Sequence, residues 1–269
     1  MTLGEVRRKL QESNIENSAW EARILFTHFS EISVNELYGA NPSCENADLA
    51  SAVAKRCEHY PLQYIIGSVG FYREEYEVNP DCLIPRSDTE ILVKKAIDTL
   101  PYGARFADLC TGSGCVAVSV LANRQDLTAV AIDISDGALD VAMRNALRNN
   151  VHNRITFEKQ NILSDRFTLR DDVQHILSNP PYIPTPDMQN LQQEVRHEPR
   201  IALDGGQDGM TFYRKILNDC MDKSNIRSVT FEIGYDLGEK IKEECRRLNL
   251  KCNIIKDLSG LDRVAYITL

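Results

Sequence analysis

The 269 residues, 43% hydrophobic and 26% charged, suffice for one large globular domain and a small one. A formal charge of −8 argues against affinity built by wrapping nucleic-acid phosphate, which needs clustered lysine and arginine, so no stable nucleic-acid binding is expected. No apolar run approaches a membrane span or a signal segment, and the eight scattered cysteines form no C-x-x-C pair, so the expectation is a cytoplasmic chain with free thiols, no metal and no membrane attachment.

Residues 1–62 read as short helices. Thr2 with Glu5, Ser18 with Glu21 and Ser33 with Glu36 each match a capping box, in which a hydroxyl and a glutamate satisfy one another's backbone N–H groups. Ala22, Leu25, Phe26 and Phe29 form one apolar stripe, and Leu49 and Val53 begin another, which predicts a small bundle. It carries no catalytic constellation and reads either as a structural cap or as a recognition module.

From Pro61 the pattern changes. Tyr64-Ile65-Ile66-Gly67, Phe71-Tyr72 and Tyr76-Glu77-Val78 predict a β-hairpin linker over residues 63–84 that ends in Leu83-Ile84-Pro85-Arg86. Residues 85–269 then alternate β-rich runs with helical stretches. The runs are Arg105–Leu109, Thr128–Ile132, Ile155–Lys159, Gln174–Ser178, Ser228–Ile233, Asn253–Lys256 and Arg263–Thr268. Seven strands with intervening helices predict an α/β sandwich with a largely parallel sheet, the last two runs forming an antiparallel hairpin at one edge.

The first run leads into Asp108-Leu109-Cys110-Thr111-Gly112-Ser113-Gly114 and then a helix, the order that brings backbone against a nucleotide-like ligand. Gly112, Gly114 and Ala117 also satisfy G-x-G-x-x-A, so a nicotinamide dehydrogenase stays open on this feature alone. Asp133 closes the second strand, where a carboxylate can accept from both ribose hydroxyls or cap the next helix. Asn161 and Ile162 follow the third strand, placed to meet an adenine edge and cover its ring, although an asparagine there also serves as a turn residue.

The fourth strand runs into Asn179-Pro180-Pro181-Tyr182. An amide nitrogen is a poor nucleophile, so methylating one, with the sulfonium of S-adenosylmethionine as donor, requires both its hydrogens to be held by acceptors. The Asn179 side-chain oxygen and a main-chain carbonyl, that of Pro180, can supply them. The prolines stiffen the loop and remove donors, and Tyr182 can stack on the planar group. An exocyclic adenine amine presents the same two hydrogens, so adenine-N6 methylation of DNA shares the pattern.

These motifs, in this order, resemble the PrmC/HemK family of peptide chain release factor N5-glutamine methyltransferases. The resemblance extends to Pro61 through Gly67, Leu83 through Arg86 with Thr89-Glu90, Ala131 through Ser135, and Glu198 through Leu203. It implies a class I, Rossmann-like methyltransferase domain with a small N-terminal helical domain for substrate recognition. It further implies S-adenosyl-L-methionine as cofactor and class I release factors, methylated on the Gly-Gly-Gln glutamine, as partners. Mapped residue by residue, the family's cofactor positions are Thr111, Gly112, Gly114, Asp133, Asn161, Ile162 and Asn179, and Cys110 and Ser113 of the same turn join them as cofactor candidates. Asn179 through Tyr182 are substrate positions, with Asn179, Pro180 and Tyr182 catalytic. A sister activity on a ribosomal-protein glutamine would use the same site, and a non-catalytic docking protein would have no need of it.

The chain departs from the family at Cys110, where glycine is usual, at Asn161 in place of a frequent aspartate, and at Leu237 in place of a glutamine. Its own Gly205-Gly206-Gln207 belongs to the turn after Ala202-Leu203-Asp204 and is not read as a substrate tripeptide.

Overall fold

The computed structural model describes residues 1–30, 32–37, 41–223 and 225–269. Two compact units result: Met1–Ser68 with Gln192–His197, and Val69–Leu191 with Glu198–Leu269. No helix among the described residues is long and apolar enough to cross a membrane.

The first unit holds α1 (Leu3–Glu12), α2 (Ser18–Phe29), α3 (Ala47–Cys57) and α4 (Leu62–Ile66). Their apolar faces meet in one core built around Val6, Leu10, Leu25, Phe26, Leu49 and Val53. The Thr2–Glu5 capping box opens α1 as expected, with both reciprocal bonds present. The expected Ser18–Glu21 box does not form. Asn17 occupies the cap position, because the Glu21 carboxylate is buried and turned to the Arg56 guanidinium on α3. Ser33 and Glu36 do bond, but across a single 3-10 turn at Val34–Leu37.

The hairpin expected over 63–84 is shifted. Tyr64-Ile65-Ile66 is helical: Pro61 starts a one-turn helix and Gly67, at φ +80°, ends it by returning its N–H to the Gln63 carbonyl at 2.7 Å. The β-branched run looks like a strand, yet Ile65 and Ile66 gain more by packing on the helical core. The hairpin itself is β1 (Ser68–Phe71) with β2 (Glu74–Glu77).

The second unit continues with α5 (Thr89–Thr99), β3 (Arg105–Leu109), α6 (Cys115–Asn123), β4 (Thr128–Asp133), α7 (Asp136–Arg148), β5 (Ile155–Lys159) and β6 (His175–Ser178). It closes with α8 (Thr211–Met221), β7 (Ser228–Glu232), α9 (Gly238–Arg247), β8 (Lys251–Lys256) and β9 (Asp262–Thr268). Seven strands form one sheet in the order β5-β4-β3-β6-β7-β9-β8. All neighbours from β5 to β7 are parallel, and β9 is antiparallel to both β7 and β8. The edge hairpin is therefore present, with β8 outermost.

Strands β3, β6 and β7 are almost wholly buried because helices cover both faces, so the polar residues they carry, Asp108, Ser178 and Glu232 among them, are buried with them. Alternation sends Phe106, Ala129, Ala131 and Leu177 into a core under α5 and α6, and Ala107, Val130, Ile132 and Ile176 into a second core under α8 and α9. After β5 the chain returns to place β6 beside β3. The connections diverge between these two strands, so a crevice opens at their carboxyl ends.

In the helical unit, Arg56→Leu leaves the Glu21 carboxylate buried without its cation, which should cost about 3–5 kcal/mol. Trp20, the single tryptophan, lies on α2 and reports the loss as a lower urea midpoint in fluorescence. Glu21→Leu combined with Arg56→Leu should recover part of it.

Candidate active site

The glycine turn begins where β3 stops. Cys110 and Gly112 both take the left-handed conformation, at φ +58° and +55°. The Asp133 carboxylate accepts the Gly112 N–H at 2.9 Å and the Ser135 N–H at 3.0 Å, so one side chain at the end of β4 shapes the neighbouring turn. Capping of α7 falls to Ser135, whose hydroxyl accepts from Ala138, and Asp133 is left for the turn and the cavity. Asn145, fully buried on α7, donates to the Ser113 carbonyl and the Glu77 carbonyl, tying the turn to the hairpin.

The two glycines have different reasons. A methyl at Gly112 would meet nothing within 4 Å, which leaves an open cradle beside the main chain. A methyl at Gly114 would lie 3.0 Å from Ala142 Cβ, so that glycine permits α6 and α7 to pack. Cys110 keeps its Cβ in the strained region by tucking against the second core, where burial pushes its thiol well up.

Next to this turn, Ser178 closes β6 by donating its hydroxyl to the Leu109 carbonyl at 2.6 Å. Asn179 then extends its Nδ2 to the Thr89 hydroxyl at 3.3 Å, and its Oδ1 makes no hydrogen bond among the described residues. The loop beyond is clamped from behind by residues 203–209. Ile183 donates to the Leu203 carbonyl, Gly205 to the Ile183 carbonyl, and Thr185 to the Gly206 carbonyl, all within 2.9 Å. Here glycine is required by crowding: a methyl at Gly205 would sit 2.6 Å from Tyr182 Cα, and one at Gly209 would sit 2.4 Å from the Tyr182 carbonyl oxygen. Gln207 is exposed in this turn.

The opposite wall comes from residues 81–86. The buried Glu198 carboxylate accepts the Ile84 N–H at 3.0 Å and pairs with the Arg86 guanidinium, which pins that segment to the cavity. Arg86 is thus part of an ion pair and also faces the cavity.

One cavity gathers most of the sequence-expected positions. From the turn come Cys110, Thr111, Gly112 and Ser113; from the strand ends come Asp133, Asn161, Ile162 and Asn179; Pro181 joins them. Gly114, Pro180 and Tyr182 do not border it. Pro180 is buried, and the half-buried Tyr182 ring packs behind the loop near Gly234. The Asn161 oxygen accepts from the Leu163 N–H at 2.9 Å, closing a local turn and leaving the amide N–H₂ and one lone pair for a ligand.

Two buried carboxylates, Asp108 and Glu232, and the half-buried Asp133 stand at or near the carboxyl edge. Burial pushes Asp108 up to about 7, against donors from the Thr111 hydroxyl and the Ala117 N–H. Asp133 is raised for the same reason. Burial also pushes Glu232 up to about 7. Asp108, Thr89, Ile201 and Phe212 border the cavity without having been singled out from sequence as site positions. The available signal was a carboxylate inside an apolar strand run, at Phe106-Ala107-Asp108-Leu109 and at Val229-Thr230-Phe231-Glu232. Among the described residues no group of three or more histidine, cysteine or carboxylate side chains could hold a metal ion.

The open cradle at Gly112 beside two carboxylates suits a ligand that presses a polar, cationic group and ribose hydroxyls against main chain. Comparison with known proteins agrees. Residues 87–207 match the methyltransferase small domain family and residues 2–67 the PrmC N-terminal domain family. The release factor glutamine methyltransferase of Geobacter sulfurreducens is 36% identical over 96% of this chain and 92% of its own. That of Thermodesulfovibrio yellowstonii is 34% identical over 92% of this chain and 91% of its own. Among solved structures, the hMettl16 catalytic domain in complex with MAT2A 3′UTR hairpin 6 covers 93% of this chain and 91% of that one, at TM-score 0.59 and 18% identity, a likeness of fold.

The contrast between glycines is measurable. Gly205→Ala drives a methyl into backbone and should cost about 3 kcal/mol in urea unfolding, whereas Gly112→Ala should cost only the left-handed strain of about 1–2 kcal/mol.

Proposed function

The chain belongs to the release factor glutamine methyltransferase family, and on that premise we propose that it methylates N5 of the glutamine in the Gly-Gly-Gln tripeptide of class I peptide chain release factors in the cytoplasm. It is an S-adenosylmethionine-dependent methyltransferase. Bound in the cavity, S-adenosylmethionine supplies a methyl group on a positively charged sulfur.

The observation that carries the reading is the state of Asn179. Its Nδ2 is committed to Thr89, so Oδ1 is the acceptor left for a substrate N–H. The second hydrogen of a primary amide goes to a main-chain carbonyl of the same loop, that of Pro180. Pro181 limits the approach of the amide from the cavity side, and stacking of the Tyr182 ring on the amide plane would require that ring to turn out from behind the loop. Two acceptors draw electron density toward the nitrogen, and the rigid proline pair aims it.

On the cofactor side, Asp133 keeps lone pairs for ribose hydroxyls beyond its two backbone bonds. Asn161 and Ile162 would hold the base edge and face, and Cys110 through Ser113 would supply the main chain beside the cofactor, with Gly114 letting the following helix pack. No side-chain base is needed before transfer, since the nitrogen sheds its proton after the new bond forms. Alignment of the reacting atoms then provides most of the acceleration, an effect worth roughly 7–11 kcal/mol in favourable cases. Residues 1–62 are assigned to recognition of the protein substrate, which leaves residues 85–269 for catalysis.

Purified protein incubated with a class I release factor and methyl-labelled cofactor should place one methyl on the tripeptide glutamine. Label on a ribosomal protein or on adenine, with none on the release factor, would sink the substrate assignment. Asn179→Ala should lower kcat by at least about 100-fold, as expected for an acceptor engaged in the transition state, while cofactor affinity measured by calorimetry changes only a few-fold.

A further inference from the structure

An asparagine amide is nearly symmetric in shape, and turning it over exchanges an acceptor for a donor at almost no steric cost. The proposed reaction tolerates only one orientation. With Nδ2 outward, Asn179 would present hydrogens to a substrate amide that is itself presenting hydrogens. Thr89 alone cannot enforce the choice, because a hydroxyl both donates and accepts.

The group behind Thr89 can enforce it. Glu232, the last residue of β7, is 3% exposed, and the Thr89 hydroxyl lies beside its carboxylate and favours its ionised form. Its Oε2 has no hydrogen-bond partner among the described residues. Parallel pairing of Ser178 with Phe231 sets Glu232 level with Asn179, and Thr89, 1% exposed, lies between them at the start of α5. The charged and titratable groups that face this carboxylate are Asp88, Arg263, Arg86, Tyr182, Tyr213 and Cys115. Arg86 is paired with Glu198, and Arg263 with Asp257 and Asp88. The Tyr213 hydroxyl donates to the Glu232 main-chain carbonyl at 2.9 Å and not to its carboxylate. A buried carboxylate without an ion pair, facing a hydroxyl one bond from the catalytic amide, has no evident use in holding the strand.

We propose that Glu232 and Thr89 are positioning residues that fix which side of the Asn179 amide meets the substrate. Ionised Glu232 only accepts, so the Thr89 hydroxyl donates its hydrogen bond to the carboxylate. The Thr89 oxygen is thereby left to accept the Asn179 Nδ2–H, and Oδ1 turns outward. A protonated Glu232 reverses the direction: it donates to Thr89, Thr89 donates to the amide oxygen, and the N–H₂ group faces the substrate. This inference rests on the assignment of Asn179 as substrate acceptor.

The sign with pH follows. The raised carboxyl is ionised only above about 7, so turnover at saturating cofactor rises with pH through that value. Stability moves the other way. A carboxyl raised in the folded state contributes stability that is complete below the ordinary carboxylate range and is lost as pH climbs through about 7. Activity is gained where stability is given up.

The test is the pH profile of kcat at saturating cofactor with a glutamine-bearing release factor. Wild type should show an acid limb centred near pH 7, and Glu232→Gln should lose the limb, turn over about tenfold more slowly at pH 8 and melt at a higher temperature there. Thr89→Val should lower kcat about tenfold or more with cofactor Kd within about twofold, and Thr89→Ser should restore it to within a few-fold. Asp108 titrates in the same range but borders the cofactor turn, so its effect belongs to cofactor affinity and vanishes from kcat at saturation. A limb that persists in Glu232→Gln, or equal kcat in Thr89→Val and Thr89→Ser, overturns the proposal. The nitrogen-15 side-chain amide resonance of Asn179 supplies a reading without substrate: it should shift through pH 7 in wild type and stay fixed in Glu232→Gln. That signal separates failure of this inference from failure of the release-factor assignment.

Discussion

Parallel register is the constraint on which the site depends. Leu109 pairs with both Ile132 and Ser178, and Ser178 pairs with Phe231. The next residue along each strand is Cys110, Asp133, Asn179 or Glu232, so four strands deliver four polar or polarisable side chains in one row. None of them is a sequence neighbour of another. Each strand stops at that row, and backbone groups that leave the ladder there need new partners. Asp133 serves Gly112, Ser178 serves Leu109, and the 203–209 segment serves the loop after Asn179. The same bonds that satisfy the backbone also set the geometry of the cavity.

Placing carboxylates in and just before that row works against stability. Asp108, Asp133 and Glu232 all have raised carboxyls, and burial is the leading cause at each. A fold selected only to be stable would put apolar side chains at the ends of such strands. Two of the three are compensated by backbone or hydroxyl donors, Asp108 by Thr111 and Ala117, and Asp133 by Gly112 and Ser135. Glu232 is the least compensated, with one oxygen left bare. Functional demand concentrates where the local rules of folding are broken.

Much of the architecture was legible because it repeats a local signal. All seven strands of the sheet lie within a residue or two of their apolar runs, and the glycine turn and Asn179 loop were visible as short motifs. What stayed hidden depends on partners far away in sequence. Glu21 reads as half of a capping box until Arg56 arrives to claim it. Tyr64-Ile65-Ile66 reads as a strand until Gly67 terminates the helix and the bundle core accepts its isoleucines. Gly112 and Gly114 look equivalent in the chain, yet one leaves space for a ligand and the other for Ala142. Glu232 stands out in sequence only as a carboxylate ending an apolar run, and its relation to Thr89 stays hidden, since it lies in a hydrogen-bond direction that crosses three elements.

The chain's own Gly205-Gly206-Gln207 shows the same lesson in reverse. The tripeptide matches what the proposed substrate carries, and composition alone cannot separate the two. Contacts do. Gly205 is glycine because Tyr182 Cα leaves no room for a methyl, and Gly206, at φ +86°, because a methyl would meet the Thr211 hydroxyl at 2.1 Å. Both serve the clamp behind Asn179, and the clamp keeps the acceptor loop still while a substrate glutamine enters from the cavity side. A glutamine at 207 is the exposed residue after that clamp and does not border the cavity. Reaching the cavity would require breaking the Ile183–Gly205 and Thr185–Gly206 bonds, and with them the rigidity on which transfer to any glutamine depends.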